Sequence, residues 1–295
     1  MRQGSGSTTA KFQATFRALE SVRWPAGRRL FTDPYAVASI DPAFRGWVRW
    51  AALPLVGEAV RWYAVWKSYG AITSGIARTR LIDDHLRDAA RAGAAQVLLL
   101  GAGYDYRALR MPELRGLRVV EMDHPATQAP KKERVARMLG ALPGNVEYVE
   151  TDLTTEGLAD AWRRSGLDGG KPAFVIWEGV AHYLGEAAVD RTIRALAALL
   201  APGSRLAFTY IHRGLLDGTL RFQWAEKAMR RVAGEDEPWI WGMDPARMPA
   251  YLAERGLSLI EDLGADDYRA KYWGPRARKL KGFGFYRVAL AGVGR

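Results

Sequence analysis

From about residue 75 the chain alternates short apolar runs with helix-length amphipathic segments, and few folds can accommodate that alternation. AQVLLL (95–100), GLRVVEMD (116–123), VEYVETDL (146–153), PAFVIWEGV (172–180) and SRLAFTYIH (204–212) each have the length of a strand. AQVLLL is a continuous apolar run, as expected of a strand covered on both faces. Ahead of it, RTRLIDDHLRDAARAG places Leu81, Ile82, Leu86 and Ala89 at helical spacing. PATQAPKKERVARMLG is a second helix with Gly140 as its C-cap, and GEAAVDRTIRALAALLAPGS is a later one stopped by Pro202 and Gly203. Such alternation predicts an α/β fold, a mostly parallel sheet with helices on both faces. LSLIEDL and GFYRVALAGV, near the C-terminus, bring the expected sheet to seven strands.

The 295 residues suit one large domain with a cap. The expected organisation is an N-terminal helical lid segment over 1–75, a main domain over 76–295, and a cap insertion at about 213–245. Within the first of these, FRGWVRWAALPLVGEAVRWYAVW (44–66) is rich in tryptophan, but Arg49, Glu58 and Arg61 interrupt it and Pro54 splits it. It lacks the roughly 18 apolar residues of a spanning helix. It reads as two short amphipathic helices, serving as a cap, an aromatic lid or an interfacial element. The polar start, MRQGSGSTTAKF, reads as a lead-in without a secretory signal. Cysteine is absent, which excludes disulfides, thiolate metal sites and a cysteine nucleophile and fits a cytoplasmic protein. No His, Asp or Glu spacing points to a zinc site. The net charge of +11, from 43 basic and 32 acidic residues, is spread along the chain apart from short clusters such as PRARKLKG (275–282). That distribution favours an anionic small molecule over nucleic acid as the partner.

In an open parallel sheet, ligands bind beyond the carboxyl ends of the strands. The residues there are Gly101, Ala102 and Gly103 after the first strand, then Asp123, Asp152 with Leu153, and Glu178. The glycines permit close backbone approach, and Asp123 follows Gly103 at the spacing usual for an acid that binds ribose hydroxyls. Asp152 is placed to accept from an adenine amino group. Tyr106, however, occupies the third position of G-x-G-x-x-G, where a dinucleotide fold needs glycine for tight packing. No lysine follows the loop as in a phosphate-binding P-loop. A nucleoside without phosphate fits better, and S-adenosyl-L-methionine is such a ligand.

The ordered blocks ARTRLIDDHL, VLLLGAGYDYRALR, VVEMDHPATQAPKKE, VETDL, WEGVAHYL and LAPGSRLAFTYI resemble the leucine carboxyl methyltransferase family, more narrowly its bacterial S-adenosylmethionine-dependent O-methyltransferases. RALESVRWPAGRRLFTDPYA and WGMDPARMPAYLAERGLSLIEDLG extend the likeness from about Ala14 to Ala291. The resemblance implies a Rossmann-like class I methyltransferase fold. It implies that Arg78 pairs with the cofactor carboxylate, that Gly101–Gly103 form its loop, and that Asp123 binds its ribose. It further implies that Asp152 and Leu153 contact adenine, that Glu178 lies near the amino-acid tail, and that Arg17 stands where some members carry a basic lid residue. Asp105 and Arg107 keep the charges usual after the loop and are expected to form a local ion pair.

Methyl transfer from a sulfonium mainly requires alignment of nucleophile, methyl and sulfur. A carboxylate is already ionised at neutral pH, whereas a phenol benefits from a base. His182 with its neighbour Tyr183 follows the fourth strand and His212 ends the fifth, so these three are the candidate catalytic residues. The expectation is O-methylation of a small organic acid, polyketide-type or aromatic, because tryptophan-rich caps suit an apolar substrate and excess arginine an acidic one. Phenol methylation with a histidine base, a catalytically silent S-adenosylmethionine-binding protein and an NAD-dependent oxidoreductase are the alternatives.

Overall fold

The computed structural model describes residues 8–23, 25–40, 42–54, 56–233 and 238–294. Residues 1–7 of the expected lead-in, Leu55 of the tryptophan-rich segment and residues 234–237 of the expected cap insertion lie outside the described residues. The strands are β1 (Gln96–Leu100), β2 (Arg118–Asp123), β3 (Val146–Glu150), β4 (Ala173–Trp177), β5 (Arg205–His212), β6 (Gly242–Met243), β7 (Leu257–Gly264) and β8 (Tyr286–Val293). The helices of the first half are α1 (Thr8–Ser21), α2 (Pro34–Ala38), α3 (Pro42–Ala51), α4 (Gly57–Lys67), α5 (Ala71–Arg91), α6 (Arg107–Arg110) and α7 (Pro125–Leu139). Those of the second half are α8 (Leu158–Ser165), α9 (Glu186–Leu199), α10 (Arg213–Leu216), α11 (Ala225–Ala233), α12 (Met248–Ala253) and α13 (Ala265–Trp273).

The sheet order is β3-β2-β1-β4-β5-β8-β7, with the short β6 pairing beside β5. Only β8 runs antiparallel to its neighbours, β5 and β7. All five residues of β1 are buried, yet their alternation still separates two cores. Leu98 and Leu100 join Val120, Met122, Val175 and Trp177 on one face, under α8 and α9. Val97 and Leu99 join Val119, Phe174 and Ile176 on the other, against Leu81, Ile82 and Leu86 of α5. Each such leucine contributes about 1.5–3 kcal/mol by leaving water.

A third core carries the N-terminal helices. Phe16 and Leu19 of α1 and Ile76 of α5 meet Tyr104 and Tyr106 there. Tyr106 is therefore a packing residue that pins the helical layer to the turn after β1. The tryptophan-rich segment forms two short helices, α3 and α4, on either side of Pro54. Helix α5 runs without a break across the boundary expected at 75/76. Among the elements beyond the sequence expectation are α10, β6 and α13. The two-residue β6 is too short to show a period. The buried face of α13 consists of Ala265, Tyr268 and Arg269, so no apolar stripe marks that helix. Among the described residues, no helix is long and apolar enough to cross a membrane. Because β1 lies between β2 and β4, strand order reverses there, and a crevice opens at the carboxyl ends of β1 and β4.

Candidate active site

A cavity of about 1030 Å³ occupies this crevice. On the β1–β3 side it is lined by Gly101, Ala102, Gly103, Asp105, Asp123, Asp152 and Leu153. On the β4–β8 side its walls include His182, Tyr183, Trp239, Phe283 and Tyr286. Arg17, Arg78 and Glu178 also face it.

The glycine turn is fixed by two different constraints. Gly101 has φ +70°, and a Cβ there would collide with the Val180 side chain from the β4 loop. Gly103 has φ +49° and donates its N–H to Asp123 Oδ2 at 2.5 Å. Asp123 Oδ1 accepts from the His124 N–H at 2.7 Å. Burial raises the pKa of Asp123, and the two backbone bonds work against that rise. An ionised carboxylate has about four acceptor sites, so roughly two are left over by these bonds on a residue that lines the cavity. Asp152 behaves differently. Its Oδ1 accepts both the N–H and the hydroxyl of Thr154, at 2.9 and 2.6 Å, closing its own turn. Burial alone would raise its pKa, but the Thr154 bonds lower it overall.

Glu178 sits between two arginines. Arg78 Nε donates to its Oε1 at 2.7 Å, and Arg107 Nη1 to its Oε2 at 2.8 Å. Burial pushes the carboxyl up, but Arg107 and then Arg78 outweigh it and leave the pKa low. Arg107 also pairs with Asp105, as expected, and its Nε donates to Asp83 at 2.7 Å. Burial opposes the charge on Arg78, yet Tyr286 and Glu178 hold its pKa above the ordinary value. The Arg78 guanidinium lies 4.7 Å from the Tyr286 ring centre, and its Nη2 donates to Gln13 at 3.1 Å. Its Nη1 makes no hydrogen bond among the described residues. Arg17 reaches the same loop from α1, donating to the Tyr104 carbonyl and pairing with Asp33 at 3.1 Å.

The three catalytic candidates separate. His182 and Tyr183 line the cavity with ring centres 4.3 Å apart. His182 is fully buried, and burial together with nearby Arg78 lowers its pKa to about 3. Its Nδ1 has no hydrogen-bond partner among the described residues. His212 does not line the cavity. Its Nδ1 accepts from the Gly214 N–H at 3.0 Å and caps α10, because a histidine at a strand end is as useful to the next helix as to a ligand.

Gln13, Arg107, Trp239, Phe283 and Tyr286 were not among the residues singled out for binding or catalysis. Arg107 was visible only as a local partner of Asp105. Its bond to Glu178 spans 71 residues and leaves no sequence signal. Trp239 lies in the expected cap insertion and Tyr286 in a strand, and neither position carries a local signal of a site.

A family model described as leucine carboxyl methyltransferase matches residues 10–197. A Mycobacterium avium protein named "Putative S-adenosyl-L-methionine-dependent methyltransferase" is 34% identical over 206 residues, covering 68% of this chain and 63% of that one. A protein of the same name from Mycolicibacterium paratuberculosis is 36% identical over 207 residues, with 68% and 63% coverage. The chain thus spans under two thirds of the length of these curated relatives. The crystal structure of a DUF574 family protein from Streptomyces avermitilis superposes with a TM-score of 0.62 at 18% identity, covering 98% of both chains. At that identity the likeness is one of fold.

Proposed function

The chain belongs to the leucine carboxyl methyltransferase family, and from that premise we propose that it is an S-adenosylmethionine-dependent O-methyltransferase acting on the carboxylate of a small apolar acid. The observation that carries this reading is one cavity with two unlike halves, hydrogen-bonding carboxylates on the β1–β3 side and aromatic rings on the β4–β8 side. The charged half fits the cofactor. Asp123 retains acceptor sites for ribose hydroxyls, and the free edge of Arg78 faces the cavity where a carboxylate would pair. Glu178 accepts from two arginines and so aims Arg78 rather than standing as a lone acid. Asp152 and Leu153 border the adenine end, and Arg17 braces the loop from above.

The bound cofactor supplies a methyl group already activated on a sulfonium. The protein's own task is alignment. The rings of Tyr183, Trp239 and Tyr286 hold the acceptor in line with the methyl group. His182, with a pKa near 3, is a feeble base at neutral pH and serves better as a neutral hydrogen-bonding group through Nδ1. A carboxylate needs no base, so the buried histidine favours an acid over a phenol as the acceptor.

The test supplies methyl-labelled cofactor with panels of carboxylic acids and of phenols. Esters release methanol in mild base and aryl ethers do not. Base-labile label on acids is the expected result. Base-stable label on phenols alone would replace the carboxylate reading with the phenol one.

A further inference from the structure

Helices α3 and α4 turn a row of large rings outward. Trp62 is 69% exposed and Trp50 58%. Trp47 stacks on Tyr63 with ring centres 5.5 Å apart, and Tyr63 lies 6.1 Å from Trp66. The row continues inward, because Lys281 Nζ sits 5.5 Å from the Trp66 ring and 5.8 Å from Tyr69. Tyr69 itself lines the cavity. Such an exposed apolar patch is uncommon on a protein that stays surrounded by water. Cations border it. Arg45, Arg49 and Lys67 are exposed on the same two helices, and Lys281 closes the inner end.

We propose that the α3–α4 face docks on an anionic lipid bilayer, with its tryptophans at the headgroup level and its lysines and arginines on the acidic phosphates. Tryptophan favours that interface because its ring is apolar with one polar edge, and each basic residue near an anionic surface adds attraction. The charge pattern selects this occupant over a second copy of the chain. A two-fold contact sets a patch against itself, and this one carries more exposed cations than its single exposed acid, Glu58, which already pairs with Arg23 and Arg61. An acidic membrane surface meets the same cations with opposite charge. Given the methyl-transfer reading, the rings from Trp47 to Trp66, joined to Tyr69 through the Lys281 ammonium, offer the tail and the charge of an amphiphilic acid a route from the bilayer to the cavity.

The docking is tested without turnover, so its failure is separate from failure of the methyl-transfer reading. Full-length protein is sedimented with phosphatidylcholine vesicles and with vesicles that also contain phosphatidylglycerol. Retention on the anionic vesicles is expected to be about tenfold stronger and to fall at high salt. Trp50→Ser with Trp62→Ser should melt like the parent and lose about tenfold in retention. Arg45→Glu with Arg49→Glu should lose retention on anionic vesicles only. Equal retention on both vesicle types, or retention unchanged by the tryptophan pair, overturns the proposal. So does a homodimer, seen by sedimentation, that the tryptophan pair dissociates while vesicles are ignored.

Discussion

The two halves of the cavity are built by opposite means. The β1–β3 half comes from one stretch of chain, residues 101–153, and short local bonds hold it. The Gly103 N–H meets Asp123, Asp152 closes its own turn, and Asp105 pairs with Arg107. The β4–β8 half gathers Tyr69, His182, Trp239, Phe283 and Tyr286 from distant segments, and packing holds it. His182 lies edge-on to Trp239 and Tyr286, with ring centres 5.9 and 5.4 Å away. The family match covers residues 10–197, which includes all of the first half but leaves Trp239, Phe283 and Tyr286 of the second half outside it. A charged site of this kind is easily kept through short-range geometry, while an aromatic one is easily reshaped by changing a loop. On the proposed reading, the first half serves the cofactor and the second chooses the substrate.

The largest expected effect falls where the halves join. Arg107→Ala would leave Asp83, Asp105 and Glu178 buried without their shared cation, and it should cost about 3–5 kcal/mol of stability. Denaturant titration reads the loss. A cost below about 1 kcal/mol would mean that the network is not the hinge between the halves.

A crossed pair of substitutions comes next. Asp123→Ala should weaken cofactor binding by about 1.5–3 kcal/mol in calorimetry and leave substrate KM nearly unchanged. Trp239→Ala should do the reverse, raising KM while sparing cofactor affinity. If both variants shift both constants, the division of labour is wrong.

The smallest effect is a pH dependence. Folded His182 stays neutral down to about pH 3, because burial and then Arg78 disfavour its proton. In the unfolded chain an imidazole binds its proton near pH 6.5, so below that pH protons favour unfolding. The stabilisation from neutral His182 is complete above pH 6.5 and is lost progressively as pH falls towards 3. At pH 5.5 the loss should be on the order of 1 kcal/mol, and His182→Phe should remove that part of the slope between pH 8 and 5.5. Parallel pH profiles for the two proteins would place the imidazole in water rather than in the aromatic wall.

The parallel sheet, its seven main strands and the strand-end positions of Gly101, Gly103, Asp123, Asp152 and Glu178 were readable from residue order alone. Their signals are local, since a buried strand declares itself by an apolar run and the next residues must then lie at its carboxyl end. Asp123 shows the reach of such reading, because the spacing that marks a ribose acid also brings its carboxylate onto the Gly103 N–H. His212 shows its limit. A strand-end histidine can face a pocket or cap a helix, and only the path of α10 decides that it caps. Tyr106 speaks against a dinucleotide in the sequence, yet its packing against the N-terminal helices required the assembled core. The sequence by itself thus determined the sheet and the cofactor edge, whose order follows from neighbours along the chain. The tertiary structure alone decided the Arg78–Glu178–Arg107 bridge, the aromatic wall and the path from exposed tryptophans to cavity. Those contacts join residues far apart in the chain, and no local periodicity records which distant surfaces will meet.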